Sequence, residues 1–129
     1  MSQEEWLVDA SALLAAIHDE RGGDVVREVI DGSVISAVNW SVVLQKLKQA
    51  DIDCEQVEMA LKALGLKVID FTDRDASIAA GLWNASRKLG LSFADRACLA
   101  TGLRTRRKVL TADRVWKKLD IGITVQVIR

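Results

Sequence analysis

Short apolar runs at residues 6–8, 33–37, 67–71, 108–110 and 123–128 alternate with longer segments of helical periodicity, and the chain contains no proline. A parallel strand pair needs a crossover of a dozen or more residues, and helical segments of the lengths between these runs supply it. The expected helices cover residues 10–18, the stretch around Val25, Val26, Val29 and Ile30, and residues 39–50 and 53–64. A long helix is expected from the Thr72/Asp75 capping box to Lys88, another from the Ser92/Asp95 box to near Gly102, and a short one over 112–119. Strands separated in this way form βαβ units covered on both faces. The expectation is one domain over residues 1–129: a three-layer α/β/α fold with a mostly parallel central sheet.

Composition narrows the function. Half of the 129 residues are apolar, and 18 acids balance 18 bases. A chain of this size buries roughly 65–70% of its unfolded surface. Zero net charge removes any global electrostatic argument for a nucleic-acid partner. With one histidine, His18, catalysis built on histidine is not expected, and Cys54 and Cys98 lack the spacing of a zinc site. No apolar stretch approaches the length of a membrane span, and the start, Met-Ser-Gln-Glu-Glu, is acidic rather than a basic signal region. A cytoplasmic protein is expected.

Three short apolar stretches stop at or near an aspartate that opens a helical segment: Asp9 after Leu7-Val8, Asp95 after Ser92-Phe93-Ala94, and Asp113 after Val109-Leu110-Thr111-Ala112. A carboxylate there sits at the carboxyl rim of a strand, where open α/β sheets bind ligands. Each also has a purely structural role open to it: Asp9 as the cap of the helix that follows, Asp95 as the second half of a capping box, and Asp113 as an acid in a first helical turn. Capping explains each singly but does not predict convergence. Carboxylates that converge repel one another unless a divalent cation joins them.

The segments Leu7-Val8-Asp9-Ala10-Ser11, Ile35-Ser36-Ala37-Val38-Asn39, Leu91-Ser92-Phe93-Ala94-Asp95-Arg96 and Val109-Leu110-Thr111-Ala112-Asp113-Arg114 resemble, in order and spacing, the four signature blocks of PIN-domain ribonucleases. In detail they resemble the VapC-type toxins of toxin–antitoxin pairs, over residues 7–128. The resemblance implies a PIN-like fold, Mg2+- or Mn2+-dependent endonucleolytic cleavage of RNA, a VapB-like antitoxin whose C-terminal segment covers the active site, and a homodimer.

Carried over by position, Asp9, Asp95 and Asp113 match three acids of the family, as catalytic and metal-binding residues. Ser11 and Thr111 match hydroxyls lining the site, and Asn39 the amide beside it. The remaining family acid, a glutamate three residues past that asparagine, is Val42 here, with no acid within a turn to substitute. Loss of that charge implies weaker metal binding and a rate lower by about 10²-fold or more, the scale of losing one electrostatic stabiliser. The resemblance therefore implies an impaired ribonuclease. Its alternative is an inactive PIN-fold module that binds antitoxin or RNA without cutting.

Arg96 and Arg114, each following a site acid, are expected to touch phosphate or brace the carboxylates. Arg104, Arg106, Arg107 and Lys108 form a basic run at the opposite rim, open to either RNA contact or helix-dipole compensation. Trp6, Trp40, Trp83 and Trp116 are each candidates for base stacking or for the core. A receiver-like or phosphatase domain is disfavoured, because Asp9-Ala10-Ser11 lacks a second acid.

Overall fold

The structure, a computed structural model, describes residues 6–129; the acidic start considered above lies outside them. Five strands form one sheet: β1 (Trp6–Val8), β2 (Val34–Ser36), β3 (Lys67–Ile69), β4 (Lys108–Thr111) and β5 (Val125–Val127). Their order is β3-β2-β1-β4-β5 and every pairing is parallel, so the sheet is wholly rather than mostly parallel.

Seven helices cover it: α1 (Ala10–Ile17), α2 (Gly23–Val29), α3 (Ala37–Gln49), α4 (Cys54–Ala63), α5 (Asp73–Gly81), α6 (Trp83–Arg87) and α7 (Phe93–Thr105). The two-residue period of a strand divides the sheet's side chains between two cores. Val8, Ile35 and Leu110 pack with Leu13, Val26, Val43 and Leu47 from α1 to α3. Their neighbours Leu7, Val34 and Val109 face the other way, onto Leu82, Cys98, Leu99 and Trp116. This is the three-layer arrangement expected from the alternation of runs.

Three elements depart from expectation. The helix expected to reach Lys88 breaks at Leu82, where the Ser86 hydroxyl donates to the Leu82 carbonyl at 2.8 Å and to that of Trp83 at 3.3 Å. A serine bonding back by one turn competes with the helix ladder and bends it. The next helix runs through Gly102 to Thr105 and ends on Arg106, which is left-handed at φ 55°. Gly102 serves packing instead: a Cβ there would lie 2.6 Å from Ile123 Cδ1 and 3.1 Å from Val109 Cγ2. The segment after β4 is a 3-10 helix, Arg114–Lys118, not an α-helix.

The chain leaves β1 for β2 and β3 on one side, then returns to place β4 on the other side of β1. That reversal opens a crevice at the carboxyl ends of β1 and β4.

Candidate active site

Asp9 follows β1 directly and caps α1, its Oδ1 accepting the Ala12 N–H at 2.8 Å. Thr111 ends β4, and its hydroxyl donates to Asp9 Oδ2 at 2.7 Å. The Ser11 hydroxyl lies 2.8 and 3.0 Å from the two Asp9 oxygens, and itself accepts the Ala112 N–H at 2.9 Å. Thr111 Oγ1 accepts the Asp113 N–H at 3.1 Å. These bonds lock the two strand ends together around one carboxylate.

Asn39 adds a third element. Its Oδ1 accepts the Ala10 N–H and its Nδ2 donates to the Ala94 carbonyl, both at 3.0 Å. One side chain of α3 thus fixes the start of α1 against the start of α7. Asp95 closes the capping box of α7, accepting the Ser92 N–H at 2.9 Å, and Asp113 caps the 3-10 helix through Val115 N–H at 3.1 Å. Capping and cleft position are therefore compatible: all three aspartates cap, and all three line one cleft of about 280 Å3.

Asp9 is buried, with no side-chain cation bonded to it among the described residues. Burial pushes its carboxyl up to about 6, against the lowering influence of the Thr111, Ala12 and Ser11 bonds, and the charge of Asp95 adds to the rise. Burial, together with Asp9 and Asp95, also holds the Cys98 thiol well above its usual range, so it stays protonated.

The donor chemistry fits a hard divalent cation: carboxylate oxygens beside hydroxyls, with Asp9 in need of positive charge. Asp9, Asp95 and Asp113 are the residues that would hold it. They share the cleft without forming a tight cluster; among the described residues, no three acidic, histidine or cysteine side chains gather closely enough to grip an ion alone. The sequence expectation of three gathered carboxylates is corrected to that extent.

Val42 lines the same cleft. So does Lys46, an exposed residue of α3. The signal was present in the spacing, since Asn39, Val42 and Lys46 are three and four residues apart and share a helical face.

The two arginines do not brace the acids. Arg96 lies over Trp83 and Phe93, with its guanidinium carbon 5.3 and 5.8 Å from the ring centroids. Arg114 Nε donates to the Arg129 carbonyl at 2.9 Å. In the basic run, Arg104 is a structural residue, ion-paired with the buried Asp75, which also accepts from Thr101 at 3.0 Å.

The family profile of the PIN domain matches residues 6–122. The chain belongs to the PIN-domain family. PIN domains are generally metal-dependent nucleases. Among solved structures this PIN domain is similar to a toxin–antitoxin complex from Klebsiella pneumoniae, with 22% identity, a TM-score of 0.74, and coverage of 95% of this chain and 97% of the other. It is also similar to DNA-bound VapBC from Salmonella typhimurium, at 12% identity, TM-score 0.72 and full coverage of both chains, 100% and 100%. FitAcB from Neisseria gonorrhoeae aligns at 18% identity and TM-score 0.70, covering 93% of this PIN domain and 95% of that chain. At these identities the likeness is one of fold. No curated protein sequence matches this PIN domain. Among its described residues, no helix is long and apolar enough to cross a membrane.

Proposed function

We propose that this PIN domain is the VapC-type toxin of a toxin–antitoxin pair, a cytoplasmic Mg2+- or Mn2+-dependent endoribonuclease whose hydrolytic step is impaired. The observation that carries this reading is the cleft wall itself, with Asp9, Asp95 and Asp113 accompanied by Val42 where the family has an acid. When bound, the divalent cation supplies Lewis acidity at the scissile phosphate and a more acidic water. Asp9, Asp95 and Asp113 hold it; Ser11 and Thr111 fix the orientation of Asp9; Asn39 sets the spacing between Asp9 and Asp95. Val42 offers neither a ligand nor an acceptor to orient the attacking water. The toxin pairs with a VapB-like antitoxin, a reading supported by the toxin–antitoxin complexes among its structural neighbours, and it acts as a homodimer, as the resemblance to VapC-type toxins implies.

A second reading has its own support. Lys46 brings a cation to the acidic cleft, and the acids stand apart, which suits an inactive module that retains antitoxin or RNA binding. Cleavage of total cellular RNA in Mn2+, by the chain and by Val42→Glu with a chelator control, separates them. Cutting by the glutamate form alone identifies a disabled ribonuclease. Equal cutting by both refutes the impairment, and cutting by neither favours the binding module.

A further inference from the structure

Beside the cleft, on the flank of α7 that faces α5 and α6, lies a group that the proposed chemistry does not use. Trp83 and Phe93 are large apolar side chains left 52% and 51% exposed. Between them runs Arg96, its guanidinium within cation–π distance of both rings. Phe71 supports Phe93 from behind, edge-on, with ring centroids 5.8 Å apart. The guanidinium is poorly committed to the protein. Its Nε is buried with no hydrogen-bond partner among the described residues, and Nη1 reaches the Ala79 carbonyl only at 3.4 Å.

Core packing does not account for this group, because the two rings keep half their surface in water while Trp40 and Trp116 are buried. Bracing of the acids does not account for it either, since Arg96 makes no ion pair among the described residues. Exposed aromatic faces interleaved with a stacked guanidinium are the composition of surfaces that hold single-stranded nucleic acid, where each base offers a π face whatever its identity.

Placement supplies the other half of the argument. Phe93 is flanked in sequence by Ser92 and Ala94, and both line the cleft together with Asp95. A strand whose phosphate enters the cleft can therefore lay an adjoining nucleotide along this flank of α7. We infer that Trp83, Phe93 and Arg96 form a stacking subsite for unpaired bases of single-stranded RNA next to the scissile phosphate. The inference rests on the nuclease reading above and extends it. The subsite selects unpaired over duplex RNA, because a base within a helix has no free face to offer.

The test is equilibrium binding of a fluorescently labelled single-stranded oligouridylate and of an RNA duplex, in chelator so that nothing is cut. Wild type is compared with Trp83→Ala, Phe93→Ala and the ring-preserving Phe93→Tyr, with folding checked by thermal melting and oligomeric state by sedimentation. Each alanine variant is expected to weaken single-strand binding about tenfold, the scale of one lost base stack. Phe93→Tyr and the duplex affinities stay unchanged. If wild type binds the single strand and the alanine variants bind it equally well, the subsite is refuted while the nuclease reading stands. If the variants instead separate a dimer into monomers with RNA affinity intact, the aromatic shelf is a contact between copies and the subsite is likewise refuted. If wild type binds no RNA at all, the nuclease reading falls and takes the subsite with it.

Discussion

The Thr111 hydroxyl donates to the Asp9 carboxylate at 2.7 Å, joining the ends of two adjacent parallel strands across 102 residues of sequence. This bond offsets part of the cost of burying the carboxylate, and several consequences of the fold can be measured.

The first concerns pH. The folded Asp9 carboxyl lies at about 6 against an ordinary 3.8, with burial as the main cause. The native state therefore binds this proton more tightly than the unfolded chain does. The associated stability is fully present below pH ~4 and is lost as pH rises through about 6. In chelator, Asp9→Asn removes this dependence and is expected to exceed wild type by about 2–3 kcal/mol at pH 8, and by little at pH ~4. Thr111→Val takes away a lowering influence and moves the wild-type transition to higher pH. Urea titrations at several pH values check both.

The second concerns metal. Val42→Glu adds a carboxylate to a cleft that already contains three, so Mn2+ should stabilise this variant more than wild type. At 100 times the variant's dissociation constant the gain is about 2.7 kcal/mol. Thermal melts across a Mn2+ series read it directly, and equal shifts in both proteins would remove Val42 as the cause of impairment.

Asn39 offers a third test. Truncation to alanine leaves the Ala10 N–H and the Ala94 carbonyl without their partner, at an expected cost of about 1–3 kcal/mol. Asn39→Asp keeps the acceptor but cannot donate to Ala94, and it adds a charge beside Asp9, so it should destabilise more than alanine at neutral pH. Chemical denaturation orders the two.

A fourth prediction concerns the Asp75–Arg104 pair. Burial alone would raise the Asp75 carboxyl, but hydrogen bonds from Arg104, Thr72 and Thr101 outweigh it and hold the group below 3.8. Its contribution is present above that value and fades as pH falls further. Asp75→Asn is expected to cost about 3 kcal/mol, because it strands a partly buried guanidinium. The double variant Asp75→Asn with Arg104→Met should recover part of that loss in a double-mutant cycle.

Two glycines make a fifth. A Cβ on Gly23 would meet the Ala15 carbonyl oxygen at 2.5 Å, and backbone on both helices has nowhere to retreat. Gly23→Ala should cost about 2–3 kcal/mol. Gly81, in α5, has nothing within 4 Å of its would-be Cβ, and Gly81→Ala should gain up to about 1 kcal/mol through helix propensity alone. Melting temperatures of the two variants should move in opposite directions.

Much of this architecture is legible in the chain. Alternating periodicities and the capping boxes at Thr72 and Ser92 specify local structure, because each signal involves residues within a turn or two of one another. The absence of proline and the lengths between apolar runs then leave a parallel sheet as the economical solution. The positions of Asp9 after β1 and of Asp113 after β4 follow from the same local logic. Asp95, expected at the end of a strand, instead opens α7 as the next element after α6, because Leu91–Ala94 forms the connection and the first residues of the helix.

What the sequence by itself could not determine are the relationships between distant segments. Periodicity did not reveal that Gly102 is a packing contact with Ile123 rather than a helix stop, or that Asp75 binds Arg104, 29 residues away. Val42 and Lys46 share one face of their helix by spacing, but only the docking of α3 beside α1 brings that face to the cleft. Arg96 has an acid as its neighbour in sequence and two aromatic rings as its neighbours in space. In each case the deciding term is burial or electrostatics between segments far apart in the chain, which exists only once the layers have packed. The sequence determined a parallel α/β scaffold and where its acids stand along it; tertiary packing decided which of those acids is buried and which side chains line the cleft with it.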